Sequence, residues 1–433
     1  MVDPTIYPLT SAEPFQAKYL PFNRSVSFTR NVSITFDFYA YGGSGGTTGA
    51  TGGGDGISFM FIDGSKSPTQ PGGFGGSLGY APYIFGNRSI PGISGGYLGV
   101  GFDEFGFFSN STEGRTDGFP HRRPNSIGVR GSEATNYRFL NGAFNLPIQL
   151  DNPGTGATRE NSRRRAKIDL DNTGKLAVSL DINLDGDFND PGEKVLEFNV
   201  IEAGNGPLPS TFKFAFAAST GGATNVHEVG NVAIQADGVP ISGSFSSVVV
   251  GGGNTTPDGG DVVIGDDQDE SLLSTGRRDI LTGNLGADRF VFSGRTKREA
   301  LRKSTLRRLD RITDFNFAEG DRIQLDFDDN LGTIELPRRL FNAGRFRTNL
   351  RKAAEAAFND KNFKKPGNQR LRPDEAVFFR ARNRTYLAVN DSKRGFSPSN
   401  DLLVDVTGIQ FKPGDLNKGA LAVGDYFATT PVL

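Results

Sequence analysis

The sequence predicts a mainly β protein: an antiparallel β-sandwich followed by a parallel β-roll with a mixed, mainly β end. Three observations lead there. The 433 residues include 58 Gly and 36 Phe at a hydrophobic content of 36%, so the apolar payload is aromatic and set among turns. Apolar residues alternate at period two through the first part, and a nine-residue period follows in the second. The length suits two cores better than one.

The alternation runs through "RSVSFTRNVSITFDFYA" (24–40), "GISFMFID" (56–63), "KLAVSLDIN" (175–183) and "TFKFAFAAS" (211–219), which read as sandwich strands. Glycine-rich joints at 41–56 and 71–79 separate them as loops. The sandwich is placed at 1–241 and a Gly/Ser-rich linker at 242–258. Charge changes sign at the same place: 18 Lys and Arg stand against 24 Asp and Glu up to residue 258, and 30 against 25 beyond it.

From 259 to 433 the acids Asp261, Glu270, Asp279 and Asp288 recur every nine residues, and Val263, Leu272, Leu281 and Phe290 recur two places later. One apolar residue per short strand would point inward while acids and glycines line the turns, an oxygen-rich setting for Ca²⁺. Asp261, Asp279 and Asp288 are the candidate ligands. The remainder reads as a helix near 350–362 and a hairpin at 375–392.

Composition excludes several chemistries. No Cys is present, so there are no disulfides or thiolates, and two His make a histidine-built transition-metal centre the wrong expectation. The first residues lack a basic-then-apolar segment, and no stretch has spanning length, so neither a cleavable signal nor a membrane span is expected. The basic runs at 293–311 and 338–352 come without a recognition motif and read as solvated surface rather than as a nucleic-acid interface.

The richest acidic stretch is "DINLDGDFNDPGE". Asp181, Asn183, Asp185 and Asp187 alternate around Gly186, Glu193 closes the run, and Gly192 stands where an EF-hand loop has its bidentate Glu. Carboxylates this close repel unless a cation joins them, so a calcium loop between strands is expected.

Four stretches, "GDGISFMF", "GGFGGSLGYA", "GVGFDEF" and "FAASTGGATNVHEVGNVAI", occur in the order and spacing of L-type (legume-like) lectins, and residues 25–236 resemble a bacterial member of that family. The resemblance implies a concanavalin-like jelly-roll sandwich with a carbohydrate site at Asp55, Gly76, Phe105, Asn110 and the loop residues Thr220, Gly221 and Gly222. It also implies a metal site after the strand that ends at Asp103. Gly101, Phe107 and Ser126 replace the residues that would hold Mn²⁺, which is therefore not expected. Ca²⁺ remains open, with Asp103, the Phe105 carbonyl, Asn110 and one of Glu113 or Asp117 as ligands. The alternative is that Asp103 and Glu104 simply end a strand in solvent. His227 is read as structural.

The segment from 259 onward resembles the degenerate calcium-binding RTX domains of proteins exported by type I secretion, and the pairing of the two resembles a cyanobacterial type. The combined expectation is a secreted, calcium-dependent lectin at a cell surface or in the extracellular space, with a glycan and the secretion machinery as partners. The alternative is a self-assembling surface-layer, matrix or filament protein that has lost sugar binding. No enzyme is expected. Sandwich glycosidases need two carboxylates flanking the bond, Gly101 removes one, and the adjacent Asp103 and Glu104 point to opposite faces.

Overall fold

The computed structural model describes residues 6–46, 52–86, 88–245, 247–250, 260–265 and 268–431, which fall into two compact units, Met1–Ser246 and Ser247–Leu433. In the first unit, strands Ile6–Thr10, Thr224–Ala236, Asn31–Ser44, Arg163–Asp171, Lys175–Leu180 and Lys194–Asn199 lie in that order in one antiparallel sheet. Ala17–Pro21, Phe212–Ser219, Gly56–Asp63, Gly96–Asp103, Ser126–Arg130 and Phe139–Ala143 form another in the same way.

Alternation explains why the two sheets stack. Val32, Ile34, Phe36 and Phe38 put every second side chain on one face, where they share a buried core with Phe59, Val100, Phe102 and Phe214 of the other sheet. The stretch read as a strand from 24 starts only at Asn31. Val26 makes an isolated bridge to Phe212, and Asp237 then holds a bend by accepting from the backbone N–H groups of Thr29, Arg30 and Asn31.

Strand Gly96–Asp103 is buried on both faces. Its glycines make room for rings: a Cβ on Gly99 would stand 2.4 Å from Tyr80, and one on Gly101 2.4 Å from Phe108. The small-apolar alternation thus encodes an aromatic layer outside the sheet.

Part of the stretch expected as a linker is built into structure. Ser244 and Asn23 exchange hydrogen bonds, and Ser247–Val250 is a strand paired in parallel with Glu270–Leu273. Residues 251–258 lie outside the described residues.

In the second unit, Ser247–Val250, Glu270–Leu273, Arg289–Ser293 and Arg322–Asp326 pair in parallel, as do Val262–Ile264, Ile280–Thr282 and Asp310–Ile312. Val263 stands beside Leu281, and Leu272 beside Phe290. Nine residues therefore make half a turn of a β-roll, and all four of these side chains bury in one core.

The end is mixed. Helix Leu350–Asn359 starts where the Asn349 side chain accepts from the Lys352 N–H, and it buries Ala353, Ala354, Ala357 and Phe358 against Val377 and Phe379. Strands Glu375–Ala381 and Arg384–Val389 form the hairpin. Among the described residues, no helix is long and apolar enough to cross a membrane.

Candidate functional site

Asp55 precedes strand Gly56–Asp63, and its backbone joins three loops. Its N–H donates to the Ser219 carbonyl (2.9 Å), and its carbonyl accepts from the N–H groups of Glu104 (3.1 Å) and Phe105 (3.2 Å). The side chain is buried, and Oδ2 has no hydrogen-bond partner. Burial pushes this carboxyl well above the usual range, the charges of Asp103, Glu104 and Glu113 add to that, and Arg115 opposes them. Gly221 lies against it, since a Cβ there would be 2.7 Å from Oδ2.

The other expected sugar contacts are placed differently. Gly76 is buried beneath Phe107, whose Cβ lies 2.2 Å from where a Cβ on Gly76 would be, so this position is packed against an aromatic side chain instead of opening outward. The Thr220 hydroxyl is used internally, donating to the Glu13 carbonyl and accepting from the Gln16 N–H. Phe105 is buried, with the Phe107 ring 5.2 Å away and the Arg122 guanidinium 4.5 Å over its face. Gly222 is exposed.

Neither acid of the Asp103–Glu104 pair ends in solvent. The Asp103 carboxylate accepts from the N–H groups of Gly106 and Phe108 (both 2.7 Å), and burial raises its pKa to about 7 against those two bonds and the Arg115 charge. Glu104 points the other way. It accepts from Asn225 Nδ2 (2.7 Å) and meets His227 Nε2 (3.1 Å), while His227 Nδ1 lies 2.6 Å from the Thr10 hydroxyl.

Three of the expected calcium ligands beyond Asp103, namely Asn110, Glu113 and Asp117, are spoken for. Asn110 Oδ1 accepts from the N–H and hydroxyl of Thr112 and from Arg115 Nη2 (3.0 Å). Glu113 is paired with Arg115, and Asp117 is more than half exposed and paired with Arg138. As they stand, these residues do not form an oxygen cage for a divalent ion, because a guanidinium already sits among them. Asn110, Glu113 and Asp117, expected as ligands, stand here as partners of arginines.

The loop between Lys175–Leu180 and Lys194–Asn199 does resemble a cage. Asp181 is buried, with Oδ2 accepting from the Gly186 N–H (3.0 Å) and Oδ1 without a partner. Glu193 is buried and accepts from the N–H groups of Ile182 and Asp190, so both acids lie beneath the exposed Asn183, Asp185 and Asp187. Gly186 (φ 98°) and Gly192 (φ 95°) take left-handed turns, which is why position 192 is glycine and the acid falls one place later.

In the roll, acids stack in two columns. Asp279 Oδ1 accepts from the Asp261 N–H (2.8 Å), and Asp310 Oδ1 from the Asp279 N–H (3.0 Å). On the other side, Asp288 Oδ1 accepts from the Glu270 N–H (3.1 Å), and Asp321 Oδ1 from the Asp288 N–H (2.9 Å). Asp288 Oδ2 is buried without a partner, and a Cβ on Gly283 would lie 2.1 Å from it.

Sequence reasoning missed Asp310, Asp321, Arg115 and Arg130. Arg130 is buried and donates to the carbonyls of Phe108, Asn110, Thr116 and Tyr137, which fixes the loop over the sheet. A signal for it existed: in "SIGVR", Ile127 and Val129 face the core, so Arg130 belongs to the opposite face. Also missed was the one cluster among the described residues, Asp326, Asp328 and Glu335, whose carboxylate oxygens lie within 4.8 Å of one another.

No protein-family model matches the chain, and no curated protein matches it. Among solved structures it is similar to the exoplasmic/lumenal domain of VIP36 in its metal-free form (15% identity over 53% of this chain and 79% of that one, TM-score 0.34). It is likewise similar to peanut lectin with a nine-residue peptide (18%, 53% and 89%, 0.33) and to the Lotus tetragonolobus seed lectin (13%, 57% and 94%, 0.33).

Proposed function

We propose that the chain is a secreted carbohydrate-binding protein that recognises a cell-surface or matrix glycan through the loops around Asp55. The observation that carries this reading is the Asp55 carboxylate. It is held by three loops, unpaired at Oδ2, and bordered by a glycine that puts no side chain over it. A sugar hydroxyl is the partner such an acceptor lacks, and the half-exposed Phe107 over Gly76 offers a ring to a sugar face. Asp103 and Glu104 are both committed to internal hydrogen bonds, which supports binding over hydrolysis.

The test is a glycan array read with the full chain and with Asp55→Asn. Retention of a glycan by the wild type and a loss of about tenfold or more in the variant are expected. The variant should melt at a higher temperature than the wild type, because it removes a buried acid set among Asp103, Glu104 and Glu113, whose burial the Arg115 charge offsets only in part. A wild type that retains no glycan sinks the reading.

Calcium enters this proposal at the loop 181–193 and in the roll, where unpartnered buried oxygens stand among acids. Export by type I secretion would deliver the chain to calcium outside the cell, where ion binding and folding of the roll are coupled. Calorimetric titration should show Asp181→Asn binding one calcium fewer than the wild type, with the far-UV spectrum unchanged. An undiminished stoichiometry would exclude the loop.

A further inference from the structure

We propose that Arg115 is a resident cation that takes the place of calcium in the sandwich, so that the loop 103–117 is held over its sheet without a metal ion. The inference does not rest on sugar binding. It starts from the acceptors: Ser77 Oγ, Asn110 Oδ1, Thr112 Oγ1 and Glu113 Oε2 surround one point beside the strand Gly96–Asp103, close enough to Asp55 and Asp103 for a charge there to act on both, and a loop that gathers them needs positive charge. The chain supplies it. The Arg115 side chain is fully buried, Nη2 donates to Asn110 Oδ1 (3.0 Å), Thr112 Oγ1 (3.1 Å) and Glu113 Oε2 (2.8 Å), and Nη1 donates to Ser77 Oγ (2.7 Å).

Two features of the surroundings agree. Gly101, which stands where the family resemblance calls for the leading metal-binding Glu, is covered by the Phe108 ring. A carboxylate there would displace that ring, so aromatic packing has replaced one half of the metal centre. Asp117, a candidate ligand for the other half, is turned out to Arg138. The two Nη groups of the guanidinium satisfy in hydrogen bonds what a calcium ion would satisfy by coordination, with Nε left without a partner, and the charge repels a divalent ion from the same oxygens.

Hydrogen exchange of the full chain, read by mass spectrometry in calcium and in EDTA, tests this. Peptides covering 103–117 should exchange at the same rate in both conditions. In Arg115→Gln they should exchange about tenfold faster or more in EDTA and slow again in calcium, which would then reach the freed oxygens. Arg115→Lys, which keeps the charge, should fall between Gln and wild type. Slower exchange of this loop in the wild type on adding calcium overturns the proposal, and needs no variant. So does a Gln variant whose loop exchanges like wild type. A glycan array without a hit would leave these readings unchanged, so the two ideas fail separately.

Discussion

In EDTA the roll should be less stable at about pH 8 than at about pH 5, and millimolar calcium should reverse that order. The cause is the pair of acid columns. Burial, joined by the charges of neighbouring acids, raises Asp288 to about 8; burial raises Asp321 to about 6 and Asp310 well above the carboxylate range. Each folded-state value lies above its unfolded one, so folding takes up protons. The stability these groups provide is fully present below about pH 4 and is lost as pH rises through about 6 and then 8.

All three carboxyls are buried, so the loss expected in EDTA is at least about 1–2 kcal/mol. Calcium acts in the opposite sense because it binds the deprotonated oxygens. At a hundredfold excess over its dissociation constant, one site adds about 2.7 kcal/mol, or about 5–10 °C in melting temperature for a unit of this size. Hydrogen exchange of peptides within 260–326 reads the roll alone. A roll equally protected in calcium and in EDTA at pH 8 would show that the columns hold no ion.

What was legible in the sequence follows the range of the interactions involved. Strands such as Gly56–Asp63 and Phe212–Ser219 announce themselves because alternation is local, and the pairing of Val263 with Leu281 follows from a period that every repeat restates. The columns continue where the period stops. Asp310 and Asp321 lie 31 and 33 residues beyond their partners instead of 18, because the segment holding helix Lys297–Leu301 is inserted into the turn. The surroundings of the proposed sugar and metal positions were less legible, since they depend on distant partners. Arg115 meets Ser77 38 residues away, and Glu104 meets Asn225 across 121, so no spacing rule announces either contact.

The same limit separates two kinds of phenylalanine, and a substitution should expose it. Phe36→Ala is expected to cost the sandwich about 3–5 kcal/mol, lowering its melting temperature by about 10 °C or more. Phe36 is fully buried, and its ring lies 4.8 Å from that of Phe216, 5.6 Å from Phe102 and 6.3 Å from Phe59, the stacking that joins the two sheets. Nothing polar stands ready to fill the cavity, and total stabilities of single domains are about 5–15 kcal/mol, so the variant approaches unfolding. Phe107→Ala, in the half-exposed loop over Gly76, should change stability by less than about 1 kcal/mol while removing a ring from the proposed sugar surface. Thermal denaturation of both variants checks the contrast. If Phe36→Ala melts as late as Phe107→Ala does, the two sheets are not held together by this aromatic core.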